Sequence, residues 1–163
     1  MSLSPRTLTV DNQPFTVRPA TLDEIAPLRH RILRAGLPFS EAHFKGDDAP
    51  TSRHAAAFDP NNEARCCATL HFGPYQDEPA WRLRGMATDA GYQSLGLGSA
   101  VLSYLTDSVL SDPRTPDGQV VRLFWCNART PAANFYLRQG WQIVSDIFDI
   151  PTAGPHYVMV RRV

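Results

Sequence analysis

The chain has 163 residues, 43% of them apolar and 20% charged, a composition that excludes a disordered chain and suits one domain, 1–163, with a core of its own. Its 16 lysines and arginines balance 16 aspartates and glutamates, so no basic footprint points to nucleic acid as a partner. No run approaches the ~20 apolar residues of a membrane span, and residues 1–6 lack the apolar stretch of a secretion signal. Of the three cysteines, Cys66 and Cys67 are adjacent, which makes a poor disulfide framework. Neither C-x-x-C nor H-E-x-x-H occurs, so no metal is expected, and a reduced, cytoplasmic compartment is.

Residues 13–18 (QPFTVR) alternate and form the first predicted strand, which Pro19-Ala20 ends. Thr21-Leu22-Asp23-Glu24 reads as a capping box. The helix it opens carries Leu22, Ile25, Leu28, Ile32 and Leu33 on one side, with Gly36 as its stop. Residues 38–51 are polar and irregular, a loop bordering a site with room for a short helix. Residues 53–58 and 63–72 (EARCCATLHF) are the strands of a hairpin turned at Asp59-Pro60-Asn61-Asn62. Residues 73–79 form the next turn and 80–88 the next strand.

That strand runs into Gln93-Ser94-Leu95-Gly96-Leu97-Gly98, two glycines at a strand-to-helix junction. The helix after them, from Ser99 to residue 110, has Val101, Leu102, Leu105, Val109 and Leu110 on one face. Free backbone N–H groups and the positive end of the helix dipole meet there, which suits a phosphate. The third glycine of a dinucleotide fingerprint and the lysine of a P-loop are both missing. Taken alone, the two glycines need only make a tight turn and allow close helix packing.

A loop at 112–118 leads to residues 119–126 (QVVRLFWC), a strand expected to be buried on both faces. Thr130-Pro131 opens a short helix over 132–138, stopped by Gly140. Residues 141–150 and 157–162 are the last strands, for about seven in all.

The form Q-x-x-G-x-G after a strand resembles the pyrophosphate-binding motif of the GNAT superfamily of N-acetyltransferases. The segment from Asn127 through Ala132, Phe135-Tyr136 and Gly140-Trp141 is similar to that family's N-x-x-x-x-A-x-x-F-Y-x-x-x-G-[FW]. Together the two cover the right elements in the right order, and the resemblance extends over about residues 16–160. It implies an α/β fold of the GNAT kind, a mixed sheet with helices on both faces. It also implies acetyl-CoA as co-substrate and transfer of an acetyl group to a primary amine of a small molecule or peptide.

By the same resemblance, the backbones of Met86, Ala87 and Thr88 pair with the pantetheine arm, and the N–H groups of Gln93, Ser94, Leu95, Gly96, Leu97, Gly98 and Ser99 hold the pyrophosphate. Asn127 and Asn134 hydrogen-bond the cofactor or a bridging water, and Tyr136 protonates the departing thiolate. Many relatives place a glutamate, as general base, on the strand that here reads Trp81-Arg82-Leu83-Arg84-Gly85-Met86, without a carboxylate. His71, His156 and Glu41 are the alternatives, each also readable as structural. Strand alternation puts Arg82, Arg84, Met86 and Thr88 on one face. Arg84 then needs a partner: an internal acid such as Asp146, Asp149, Glu63 or Asp89, or an acceptor bearing an acid group, with His156 orienting its amine. A non-catalytic acyl-CoA-binding or sensor module is the alternative class, and a ligand-free structural domain a third. A homodimer is left open.

Overall fold

The computed structural model describes residues 3–163. Its first element is a hairpin, β1 (Arg6–Val10) with β2 (Gln13–Pro19), turned by Asp11-Asn12 at φ 48° and 62°. Two left-handed residues give the turn a twist matching that of the strands. β1 is not among the predicted strands. β3 (Arg53–Phe58), β4 (Ala64–Tyr75) and β5 (Glu78–Thr88) continue the antiparallel run. The turn expected over 73–79 contracts to Gln76-Asp77, both at positive φ, because Gly73 and Pro74 stay in β4 opposite Ala80 and Pro79.

β6 (Leu123–Arg129) lies parallel to β5 and antiparallel to β9 (Gly154–Arg162). The strand expected at 119–126 thus begins at Leu123, and Val120 is exposed. The strand expected at 141–150 is two short ones, β7 (Gln142–Ile143) and β8 (Phe148–Ile150), each paired with β9. Among the described residues the sheet therefore has nine strands, in the order β1-β2-β3-β4-β5-β6-β9-β7 with β8 also on β9.

Helix α1 (Leu22–Leu33) begins as expected: the Glu24 N–H donates to the Thr21 hydroxyl at 3.2 Å, and the Thr21 N–H to the Glu24 carboxylate at 2.9 Å. Its Ile25 and Leu28 pack on Ala56, Phe58, Cys67 and Ala87. Helix α2 (Leu97–Ser111) covers the other face, with Val101, Leu102, Leu105 and Val109 against Phe15, Leu70, Trp81 and Phe124. Helix α3 (Ala133–Arg138) follows a 3-10 turn at Thr130–Ala132. Among the described residues no helix is long and apolar enough to cross a membrane.

Strand β5 departs from simple alternation at Gly85. Thr69 faces Arg84 and Cys67 faces Ala87, so Ala68 alone opposes Gly85 and Met86, a β-bulge. Gly85 sits at φ +64°, and a Cβ there would stand 2.8 Å from the Arg29 Nε. The bulge reverses the faces downstream. Arg82, Arg84 and Ala87 lie on the α1 side, while Met86 packs into the α2 side and the Thr88 hydroxyl donates to Cys66 Sγ at 3.4 Å. The expectation that Arg82, Arg84, Met86 and Thr88 share a face fails for this reason.

Arg29, fully buried, bonds the Asp47 carboxylate at 2.6 and 3.3 Å, the Ala42 carbonyl at 3.1 Å and the Thr69 hydroxyl at 2.5 Å. The Thr69 hydroxyl meets His54 Nδ1, and His54 Nε2–H donates to the Asp47 carbonyl at 3.0 Å. Asp47 also accepts from His71 Nε2 at 2.9 Å and from the Phe44 N–H at 2.7 Å. Burial by itself raises the Asp47 pKa, but the bonds from His71, Arg29 and Phe44 outweigh it and hold the carboxyl well below the usual range.

A depressed carboxyl stabilises the fold above its unfolded pKa, near 3.8, and that contribution is lost as pH falls through the folded value. Asp47→Asn leaves Arg29 buried without its counter-charge and should cost about 3–5 kcal/mol. Urea unfolding at neutral pH measures this. The variant's stability should also fall less steeply than that of the natural chain below about pH 4.

Candidate functional site

The parallel pairing of β5 with β6 is limited to Trp81 opposite Phe124 and Arg82 opposite Trp125. Beyond that point β5 stays with β4 as far as Thr88, and β6 stays with β9 as far as Arg129. The two central strands therefore part, and a cleft of about 940 Å³ opens between them. Met86, Ala87, Thr88 and Asn127 line it. Backbone N–H and C=O groups on a parted strand edge have no partner across the gap and suit an extended ligand with amide groups.

The glycine loop closes one end. Ser94 is left-handed at φ 62° and Gly96 at φ 85°, where it caps α2 without any side-chain hydrogen bond. No acidic residue occupies the first turn, so the N–H groups there are free and their dipole is not offset. Gln93, Ser94, Gly96, Leu97, Gly98 and Ser99 line the cleft, whereas the Leu95 side chain packs against the core. A Cβ on Gly98 would meet the Phe135 ring at 3.3 Å, so this glycine lets α2 and α3 approach. The Ser99 hydroxyl donates to Gln139 Oε1 at 3.1 Å, a second tie between the same two helices.

Tyr136 lines the cleft from α3 and is 5% exposed, its ring edge-on to Phe135 and Trp141. Burial, with the Cys126 and Cys66 thiols nearby, pushes its pKa well above 10, so the hydroxyl keeps its proton. Asn134 is exposed and does not line the cleft. It stands two residues before Tyr136, about 200° round the helix, so the expectation that its side chain joins the site is corrected.

Of the candidate bases, His71 is turned away from the cleft into the bond with Asp47, and is corrected to a structural role. Glu41 is exposed outside the cleft lining, in the 3-10 turn Phe39–Ala42. His156 lines the cleft and is 4% exposed. Its Nδ1–H donates to the Gly154 carbonyl at 2.7 Å, which leaves the lone pair on Nε2.

The charge of the cleft is one-sided. Arg34, Arg82, Arg84, Arg129 and Arg138 line it, and among the described residues no aspartate or glutamate does. None of the acids proposed for Arg84 holds it. Asp89 is bonded by Arg31 and Arg65, Glu63 pairs with Arg65, and among the described residues neither Asp146 nor Asp149 makes an ion pair. Arg84 instead lies over the Phe44 ring, 4.7 Å from its centre. Of these residues the sequence pattern singles out Arg82 and Arg84. Arg34, one residue past the apolar face of α1, and Phe44, in the loop expected to border a site, carry only those positional signals.

A free helix N-terminus beside a parted strand edge fits a long ligand with amides and phosphates, as coenzyme A is. Comparison with known proteins agrees. The family model described as the Acetyltransferase (GNAT) family matches residues 22–141. The uncharacterized N-acetyltransferase YitI of Bacillus subtilis (strain 168) is 30% identical over 151 residues, covering 89% of this chain and 94% of that one. Escherichia coli ElaA has a similar fold, with a TM-score of 0.70 at 15% identity over 91% of this chain and 99% of that one. An aminoglycoside 6'-N-acetyltransferase solved with coenzyme A has a TM-score of 0.64 at 15% identity, over 86% of this chain and 89% of the other.

The Gly98 contact gives a stability prediction. Gly98→Val drives two methyl groups toward the Phe135 ring and should cost roughly 1–3 kcal/mol through overpacking. Phe135→Leu in the same chain should recover part of the loss. A double-mutant cycle by urea unfolding reads the coupling; strictly additive effects would mean that the ring does not set the limit.

Proposed function

The chain belongs to the GNAT family of acetyltransferases, and on that premise we propose that it transfers the acetyl group of acetyl-CoA to a primary amine of a small molecule or peptide, with 1–163 as one catalytic domain. The observation that carries the reading is the parting of β5 from β6, with the uncapped start of α2 at one end and the Tyr136 hydroxyl inside. In the reaction acetyl-CoA supplies an acyl thioester. The N–H groups of residues 93–99 bind its pyrophosphate, and Gly96 admits the close approach. The edges of Met86, Ala87 and Thr88 take its amides as a sheet takes another strand, and Asn127 offers a further hydrogen bond from β6. That a neighbour of the same fold carries coenzyme A supports this assignment.

The amine attacks the thioester carbonyl and the C–S bond breaks. Tyr136 donates its proton to the departing sulfur. Burial keeps the hydroxyl protonated until the sulfur departs, and the tyrosinate that remains, as costly to bury as the thiolate, regains its proton from solvent as the products leave. On the acceptor side His156 Nε2 takes the proton that the amine releases, because the Nδ1 bond to Gly154 leaves that nitrogen as the acceptor. A binding module without catalysis is the rival reading. It has no use for a positioned hydroxyl that stays protonated beside the parted strands.

Tyr136→Phe deletes the donor and keeps the ring. A positioned acid contributes about 10²–10⁴-fold, so kcat for amine acetylation, followed as free thiol, should fall by that factor while the KM for acetyl-CoA holds. An unchanged kcat removes Tyr136 from the chemistry. Since its pKa lies above 10, kcat of the natural chain should show no alkaline decline from loss of this proton below about pH 10.

A further inference from the structure

The cleft places guanidinium groups on the α1 side of the sheet that make no ion pair among the described residues. Arg84, from β5, lies over the Phe44 ring at 4.7 Å, and Arg34, from the end of α1, over the same ring at 4.9 Å. Arg29 also meets that ring, at 4.3 Å, but Asp47 neutralises it. Among the described residues Arg34 bonds only the Leu33 carbonyl, at 3.0 Å. Arg82, on the same face of β5 as Arg84, lies over Trp125 at 4.8 Å, with a buried Nε that finds no partner among the described residues. The nearby acids make no ion pair with Arg84 or Arg34: Asp47 is bonded by Arg29, His71 and the Phe44 N–H and acts on Arg84 only through its field, and Glu41, exposed, acts on Arg34 in the same way.

Half-buried arginines crowded in this way weaken one another. Burial, then the charges of Arg82 and Arg34, pulls Arg84 down to about 10. Burial, then Arg129, lowers Arg34. A net-neutral chain has acids enough to pair these groups, and among the described residues it pairs none of them. An anionic ligand would supply both the charge and the bidentate acceptor that a guanidinium fits.

We propose that Arg34 and Arg84, braced on Phe44, form an anion subsite at the acceptor end of the cleft, so that the acetylated amine belongs to a molecule that also carries an acid group, a carboxylate or a phosphate. This rests on the acetyltransferase reading above. The subsite lies on the α1 face, whereas the pyrophosphate end is built by α2 on the other face, so the two sets of donors serve different ligands. Arg82, nearer the point where the strands part, adds positive potential without reaching the same ring.

The test compares glutamine amide, glutamine and glutamate, which carry no, one and two carboxylates on one framework, with phosphoethanolamine as the phosphate arm. Acetylation is measured with each, together with calorimetric binding of each to the protein mixed with coenzyme A. The acidic amines should be preferred in kcat/KM, and the phosphate arm identifies which acid group the subsite favours. Arg84→Met should lower kcat/KM for the acidic amines roughly 10–100-fold and leave glutamine amide and the KM for acetyl-CoA unchanged. In the natural chain, added salt should raise KM for the acids more than for the amide, a readout that needs no variant to fold.

Acetylation of the amide as fast as the acids overturns the subsite and keeps the acetyltransferase reading. Arg84-dependent binding of the acids without any acetylation overturns the acetyltransferase reading and keeps the subsite. A raised KM for acetyl-CoA in Arg84→Met assigns the arginine to the donor and overturns the proposal, as does failure of every acid either to react or to bind.

Discussion

The buried pair of Arg29 and Asp47 is the interaction on which the cleft depends. Arg29 reaches from α1 past the bare Cα of Gly85, which must be glycine both for its φ and for the room it leaves. Asp47 then gathers the 38–52 segment onto the sheet through Arg29, His71 and the Phe44 N–H. Two charges taken out of water in this way are costly, and the geometry offsets the cost by satisfying both carboxylate oxygens. The pair sets positions in the cleft as a result. Phe44 is fixed over its end, and the bulge turns Met86 and Thr88 to the α2 side while Arg84, just before it, stays on the α1 side.

Much of this is legible in the sequence where the signal is local. The capping box at Thr21, the glycine turn before α2 and the Thr130-Pro131 helix start each depend on neighbours a few residues away, and each appears close to where it is expected. Asp11-Asn12 is a local hairpin signal of the same kind, with Thr7, Leu8 and Thr9 alternating before it, although β1 is absent from the expected strands. The bulge is a different matter. Alternation along β5 is unbroken as text, and only the packing of Arg29 beneath Gly85 makes the strand skip a residue.

Charged residues are the hardest to place. Arg29 stands four residues after Ile25, on the apolar face of α1, and that spacing is the one hint that it is buried. Its partner is eighteen residues away in an irregular segment, which no periodicity could connect. His71 looks in the sequence like a free histidine at a strand end, yet its carboxylate is supplied by that same segment. Asn134 lies inside a recognisable motif, and helical rotation alone takes it out of the cleft. Contacts made across long loops decide the polarity of the site, and a linear pattern carries no trace of them.

The contact of Gly98 with Phe135 has a wider meaning. Phe135 is the neighbour of Tyr136 and stacks edge-on to it at 5.2 Å, and Ser99 is tied to Gln139 at the end of the same helix. The glycine loop and the Tyr136 ring thus form one stiff block, α2 locked to α3. The arginines over Phe44 belong to another block, α1 with its following segment, held by Asp47. The two blocks pack on opposite faces of the shared strands β4 and β5 and touch those strands rather than each other. A lineage can exchange the loop around Phe44, and with it the arginine-lined face of the cleft, while the glycine loop and α3 keep their mutual packing.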